Sequence, residues 1–335
     1  MFADGHYAYA KACGIIGKSF VGKRKKALSP VKTLAEFDRL VFGEFQRETG
    51  GGEYKPLLLD LERRIEKRAV RQILSIVNCF QKPPEVIVRQ LRAYEYTDLK
   101  TCLHHIEKGD NKILYFYDIG RFKTVQFKAF PNLKAMLSGT EFEFLYLDEM
   151  QNKKMDVRHI ENLLDTHYYL ELKKSLRELS GEDRALIERI LNDEISLNNC
   201  IWALRLRNYY NKTSEETIKY LTHYDEARVL LDLPLNNRSL LSGWKWEKFL
   251  NPEHPGEHWK LDPRYFQNAA SGYLHRLALS GFHRIPAAVS SVFCFIKIKQ
   301  FEEDLLTSIA EGLNFGLSSA EIFKFLEAAP SSESI

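Results

Sequence analysis

Eight residues near the N-terminus, Ala12-Cys13-Gly14-Ile15-Ile16-Gly17-Lys18-Ser19, fit a relaxed phosphate-loop pattern. In such a loop, glycine-permissive turns aim backbone amides at phosphate, while the lysine and hydroxyl reach the terminal phosphate and its magnesium ion. Two later runs, Ile113-Leu114-Tyr115-Phe116-Tyr117-Asp118 and Phe144-Leu145-Tyr146-Leu147-Asp148-Glu149, end an apolar stretch on an acid, as a Mg²⁺-binding strand does. Together they sketch a nucleotide hydrolase worked by Gly17-Lys18-Ser19 and Asp148-Glu149. Their surroundings argue against it. The loop needs a buried strand before it, and residues 5–11 (Gly-His-Tyr-Ala-Tyr-Ala-Lys) are not one. Ile15 and Ile16 are β-branched where such loops use glycine, and the rest of the chain lacks the alternation of strand and helix that the fold requires. Tyr7, Ala10, Cys13, Gly14 and Gly17 share one helical stripe, so the expectation here is a helix that packs closely through small residues.

The other reactive residue types are poorly arranged. His254 and His258 have the spacing of paired helical metal ligands, but Pro255-Gly256 lies between them and breaks any helix. His104 and His105 are adjacent on an expected helix and point about 100° apart. The acids Glu302-Glu303-Asp304 have the chemistry of a general acid or base, and the default for them is solvation or pairing with Lys297 and Lys299. Lys23-Arg24-Lys25-Lys26 is the densest basic run. It has the charge for anionic lipid headgroups or RNA, but the default reading of a single short run is a solvated helix end whose dipole favours cations. Cys13, Cys79, Cys102, Cys200 and Cys294 are odd in number and never form Cys-x-x-Cys, which reads as reduced thiols. No catalytic, cofactor-binding or metal-binding residue is assigned.

Composition narrows the classes further. In 335 residues, 48 Lys+Arg face 45 Asp+Glu, a net charge of +3, so a large basic field for tracking nucleic acid is not expected. Hydrophobic residues at 44% are enough for a sizeable core. No run of about 18 apolar residues marks a membrane span, and residues 1–9 lack a secretory pattern. Only 11 Pro and 18 Gly leave room for long uninterrupted elements.

Those elements read as helices near 7–27, 33–47, 56–79, 84–107, 155–178, 182–208, 214–231, 264–280, 284–313 and 319–328. Thr33-x-x-Glu36, Thr213-x-x-Glu216 and Ser318-x-x-Glu321 are capping-box patterns. Leu34, Phe37, Leu40, Val41 and Phe45 fall on one face, as do Ile160, Leu163, Leu164, Tyr168 and Leu172. Pro83-Pro84 separates two helices. Residues 111–150 differ: 113–117, 125–129 and 142–147 are short β-like runs, and a small sheet or irregular insertion is expected. Residues 233–263, with four prolines and three of the four Trp, read as an ordered loop.

An internal repeat connects the helices. A shift of 99 residues places Leu61-Glu62 on Ile160-Glu161, Ile65-Glu66 on Leu164-Asp165, Ile73 on Leu172, Ile87 on Leu186 and Glu95 on Glu194. Each copy is two long helices with a short break. A fainter third copy at 268–313 puts Glu302 where Glu95 and Glu194 stand. A helix pair alone cannot bury both apolar faces, so such repeats pack on one another.

The repeat and the C-terminal segment give the chain a family likeness. It resembles the C/d subunits of rotary V-type ATPases in their bacterial and archaeal form. Four stretches carry this: Tyr7-Ala8-Tyr9-Ala10-Lys11; Leu91 to Lys100, with Glu95 and Asp98-Leu99-Lys100; Ile160-Glu161, Asp165 and Tyr168-Tyr169; and Lys299 to Leu306 followed by Ala310-Glu311-Gly312 and Gly316-Leu317. Asp98 stands where the family usually has Asn, and Gln300 where an acid is common. The resemblance implies a mainly α protein, a funnel of three pseudo-repeated helical units at approximately 50–110, 155–210 and 264–328. It implies no active site and no cofactor. It implies a peripheral place on the cytoplasmic side of the membrane. There the protein sits on the rotor ring and receives the central shaft, coupling ATP hydrolysis or synthesis to proton or sodium transport. The competing readings are the nucleotide hydrolase above and a helical-repeat scaffold for another protein partner.

Overall fold

The computed structural model describes residues 2–43, 57–110, 114–146, 157–222 and 226–327. Helices take up most of them, and no described residue lies in a strand. In chain order the helices are α1 (Phe2–Gly17), α2 (Leu34–Phe42), α3 (Leu58–Val77), α4 (Glu85–Leu91), α5 (Ala93–Glu107), α6 (Leu133–Leu137), α7 (Val157–Ser175), α8 (Gly181–Tyr209), α9 (Ser214–Ile218), α10 (Arg228–Asp232), α11 (Pro263–Arg284), α12 (Val289–Asn314) and α13 (Ser319–Glu327).

The expected caps form. Thr213 and Glu216 make a complete capping box, each side chain accepting the other's amide at 3.2 and 3.0 Å. Ser318 and Glu321 exchange the same pair of bonds at the start of α13. At α2, Thr33 accepts from the Glu36 amide as expected, but Glu36 reaches one residue further back, to the Lys32 amide.

The molecule is organised about α12, which packs against α1, α2, α3, α4, α8, α11 and α13. Its apolar residues, Val292 to Ile298 and Leu305 to Leu313, lie in the largest of three hydrophobic clusters. A second cluster holds Trp244, Trp246, Phe249 and Phe266 beside the C-terminal half of α8. The third gathers Phe127, Met136, Phe142 and Leu145 against α5. Long helices run from one cluster to the next. Helix α8 puts Leu186 to Leu191 in the central cluster and Leu197 to Leu204 in the second. Helix α11 does the reverse, with Phe266 in the second cluster and Phe282 in the central one. Helix α7 joins the third cluster through Ile160 and Leu164 and the central one through Leu172, with Leu176 of the 3₁₀ turn that follows it.

Several expectations are corrected. Residues 84–107 are not one rod: the helix breaks at Arg92, where the Glu95 amide turns back to the Arg92 carbonyl at 2.8 Å and the Arg92 side chain reaches the Phe122 carbonyl. The helix expected at 214–231 is interrupted for a visible reason. The buried Asn199 side chain accepts from the Thr222 amide at 3.0 Å and donates to the Thr222 carbonyl, taking both groups a helix would use. Among the described residues the β-like runs of 111–150 do not pair, and residues 113 and 147 lie outside them. Phe127–Ala129 is a 3₁₀ turn and 143–146 is helical. Their aromatics serve the third cluster instead: Phe116 stacks on Phe127 at 4.5 Å and Phe142 meets Tyr96 edge-on. The Trp-bearing loop is ordered, with the Trp244 indole donating to the Glu226 carbonyl and the Trp246 indole to Ser196.

The small-residue stripe on α1 is also corrected. Tyr7, Ala10, Gly14 and Gly17 face outward, and the packed face is Gly5, Ala8 and Ala12. A Cβ on Gly5 would stand 2.5 Å from the Ala287 carbonyl oxygen, whereas Gly14 and Gly17 have open space around them. A similar close approach joins α11 to α12, where a Cβ on Gly281 would lie 2.8 Å from Cys294 Sγ and 3.3 Å from Leu186. Replacing Gly281 by Ala is expected to cost about 1–3 kcal/mol through overpacking. Gly14→Ala, at an open helical position, is expected to gain about 0.5–1 kcal/mol. Urea unfolding of the two variants checks both signs.

Candidate functional site

The polar side chains of α12 that turn inward are the chemical feature of the core. Lys299 and Glu302 are almost fully enclosed, and Glu303 is buried beside them. A charge in that position survives only when partnered, because its desolvation is costly. Glu302 contacts Lys299 one turn earlier on its own helix and accepts from the Phe20 backbone amide at 2.7 Å. The Arg68 guanidinium of α3 is 3.8 Å away. Burial, with Arg68 alongside, drives the Lys299 amine down to about 7, against the pull of the Glu303 carboxylate. Glu303 accepts from the Tyr94 hydroxyl at 2.8 Å and the Tyr117 hydroxyl at 3.4 Å. Burial pushes Glu303 up to about 8, the tyrosine hydrogen bonds opposing it and the carboxylates of Asp304 and Glu66 adding to it. Of the expected solvation or lysine pairing, Glu302 takes the pairing with Lys299, while buried Glu303 is held by tyrosine hydroxyls instead of solvent. Lys297 also reaches away from its own helix, to Glu194 of α8 at 2.7 Å.

The three glutamates aligned by the repeat do related work. Glu95, buried on α5, accepts from the amides of Thr124 and Val125, both at 2.6 Å, and from the Thr124 hydroxyl at 3.0 Å. Glu302 holds the backbone just after α1. Glu194 takes Lys297 and the Tyr169 hydroxyl, which in turn accepts from Asn198. Each carboxylate thus fastens its helix to a different part of the chain. One turn on from Glu95, Asp98 accepts from the Tyr117 amide at 3.0 Å and lies 3.8 Å from Lys123. Burial raises Asp98 to about 7, the Lys123 cation and the amide pulling the other way. Sequence reasoning passed over Asp98, Glu66, Arg68, Tyr94 and Tyr117 as a group. A legible trace existed in α5, where Asp98 directly precedes the buried Leu99 in a turn that also buries Cys102.

The phosphate-loop residues do not form a cradle. Residues 12–17 are helical, and the amides of Lys18 and Ser19 donate to the carbonyls of Ile15 and Ile16. The next amide, on Phe20, belongs to Glu302. No amide of residues 18–20 is left for a phosphate, which corrects the nucleotide reading on this side. Asp148 and Glu149 lie outside the described residues. His254 and His258 are exposed in the loop before α11, His104 bonds Glu161 at 2.9 Å, and His105 faces Asp110. Among the described residues no group of three His, Cys, Asp or Glu is placed to hold a metal ion. The run Lys23-Arg24-Lys25-Lys26 forms a 3₁₀ turn with none of its residues buried, and Arg24 lies over the Phe20 ring. The five cysteines are free, three of them buried.

Removing the Glu302 carboxylate leaves Lys299 without its partner in the core. Glu302→Ala is expected to destabilise the fold by about 3–5 kcal/mol. Glu95→Ala, which strands two backbone amides, is expected to cost about 1–3 kcal/mol. Denaturant midpoints at constant slope measure both, and a neutral Glu302→Ala contradicts the role given to this residue.

Comparison with known proteins gives the family. Residues 53–325 match the sequence profile of the ATP synthase (C/AC39) subunit family. A protein of Treponema pallidum (strain Nichols), described only as uncharacterized, is 26% identical over 336 residues, covering 96% of each chain. No helix among the described residues is long and apolar enough to cross a membrane. With the family profile covering α3 through most of α13 and the helical architecture in agreement, the chain belongs to the ATP synthase (C/AC39) subunit family, the C/d subunits of V-type ATPases.

Proposed function

We propose that this chain is the non-catalytic central-stalk subunit of a rotary V-type ATPase. It sits on the cytoplasmic face of the membrane rotor ring and receives the central shaft. In that position it couples ATP hydrolysis or synthesis in the soluble head to proton or sodium movement through the ring. The observation that carries the reading is the family match over residues 53–325. The helical architecture is consistent with three stacked units, at approximately 50–110, 155–210 and 264–328, forming a funnel. The near-balanced charge, +3 over the chain, suits a part held between protein partners. So do large exposed side chains such as Phe315, 81% exposed beyond the end of α12, and Trp202, 45% exposed on α8.

The direct test is reconstitution. The purified chain, mixed with detergent-solubilised rotor ring and with the shaft proteins, is expected to co-elute with both. Adding it to a ring and head lacking it is expected to restore ATP-driven ion transport. A folded chain that binds neither ring nor shaft refutes the proposal and favours a helical scaffold for another partner. Equilibrium binding of ATP with Mg²⁺ is expected to show no complex, in wild type and in Lys18→Ala alike. A complex lost on Lys18→Ala would restore the hydrolase reading.

A further inference from the structure

The proposed function leaves the basic run Lys23-Arg24-Lys25-Lys26 unused. Its explanation as a helix end does not hold in the structure: α1 stops at Gly17, and the run forms a separate 3₁₀ turn, Lys23–Ala27, with none of its residues buried. The charge around it is one-sided. Residues 5–35 carry seven Lys and Arg and no Asp or Glu, whereas the whole chain is only +3, so the remaining residues are net negative. The positive charge is therefore concentrated in one stretch.

That stretch is held from below. Phe20, Leu28 and Val31 are buried in the central cluster. Glu302 fixes the Phe20 amide, and Arg24 and Arg68 lie over the Phe20 ring, 4.4 and 5.4 Å from its centroid. Arg24 also donates to the Lys18 carbonyl at 2.9 Å. Lys18, Lys23 and Lys26 stay exposed on this frame. Two exposed acids stand at the starts of the flanking helices α2 and α13, and backbone amides hold both: Glu36 accepts from Lys32 and Glu321 from Ser318.

An apolar corner adjoins the basic stretch. The Ser319 amide donates to the Val31 carbonyl at 3.3 Å, and Lys25 Nζ lies 5.3 Å from the Phe323 ring centroid, so α13 is docked on residues 25–31. Just before α13 the chain turns through Phe315-Gly316-Leu317. Phe315 is the most exposed large apolar side chain among the described residues, and Leu317 is exposed beside it. The amides of the corner are satisfied within it, Phe315 donating to Glu311, Gly316 to Leu313 and Leu317 to Gly312. It thus presents apolar side chains without orphan backbone donors, the condition for entering a water-poor layer. Close packing fixes its place, since a Cβ on Gly312 would lie 2.5 Å from Ile322 Cδ1.

We propose that residues 18–32 and the Phe315-Gly316-Leu317 corner form a contact surface for an anionic phospholipid bilayer, the cations meeting the headgroups while Phe315 and Leu317 enter the interface beside them. Charge complementarity selects an anionic surface, and lysines on flexible stems suit its diffuse charge. The corner selects lipid over RNA: a bilayer interface takes up both apolar side chains, whereas RNA offers a stacking face to Phe315 and nothing to Leu317. The contact is with lipid itself, so it does not rest on the central-stalk reading.

Co-sedimentation of the full chain with vesicles tests this. The chain is expected to bind vesicles of equal parts phosphatidylcholine and phosphatidylglycerol at about 0.1 M salt, to bind far less at about 1 M salt, and to ignore pure phosphatidylcholine. Lys23→Gln with Lys26→Gln is expected to weaken binding about fivefold per cation removed. Lys108→Gln with Lys128→Gln, an equal charge change at exposed sites elsewhere, is expected to bind as wild type. Phe315→Ala is expected to bind several-fold more weakly. All five substituted residues are exposed, so the fold is retained. Failure to bind the mixed vesicles, an equal loss in the two double variants, or unchanged binding in Phe315→Ala overturns the proposal. So does binding to single-stranded RNA in place of vesicles.

Discussion

A charged helix in the centre of a protein must be completed by other segments, and α12 imposes that condition on this one. Its Lys299, Glu302 and Glu303 are enclosed by neighbours that cannot solvate them. The chain answers by bringing in what those groups need: the Phe20 amide, the Arg68 guanidinium and the hydroxyls of Tyr94 and Tyr117. These come from the end of α1, from α3, from α5 and from the 114–123 segment. Burying α12 therefore fixes where four distant parts of the sequence lie. Apolar packing alone tolerates sliding, whereas a carboxylate that has to meet a particular amide does not.

The same logic explains how irregular stretches are held without a sheet. Between Leu114 and Thr140 the backbone has no ladder to satisfy it, and side chains on α5 stand in. Glu95 takes two successive amides and Asp98 a third. Asn199 does the equivalent for Thr222 on α8. In each case a helix supplies polar groups to a segment that does not form an element of its own.

These facts mark where the sequence was legible. Helix positions came from apolar spacing and capping boxes, both local signals, and α7, α8 and α11 stand close to their expected limits. The family came from stretches such as Leu91–Lys100 and Ile160–Tyr169. What stayed hidden was tertiary. The break after 218 depends on Asn199, which lies outside the expected helix, and the aromatics of 111–150 looked like strand residues because a ring buried in a cluster and a ring on a sheet read alike. The packed face of α1 was misjudged for a related reason: alanine and glycine occur on both sides of it, and only the neighbour, Ala287, decides which side closes. The acids of α12 were recognised as acids, but their burial follows from the helices around them.

The long helices that run between hydrophobic clusters also determine how the molecule can come apart. Helix α8 is seated in two clusters at once, α11 in the same two, and α7 in the central one and the third. Loosening either outer cluster exposes half of a helix whose other half remains packed, so disruption propagates along the backbone instead of stopping at a linker. Helices that share cores in this way are not separable modules. Packing of this kind favours cooperative unfolding, and a cut within α7, α8 or α11 removes part of two cores at once.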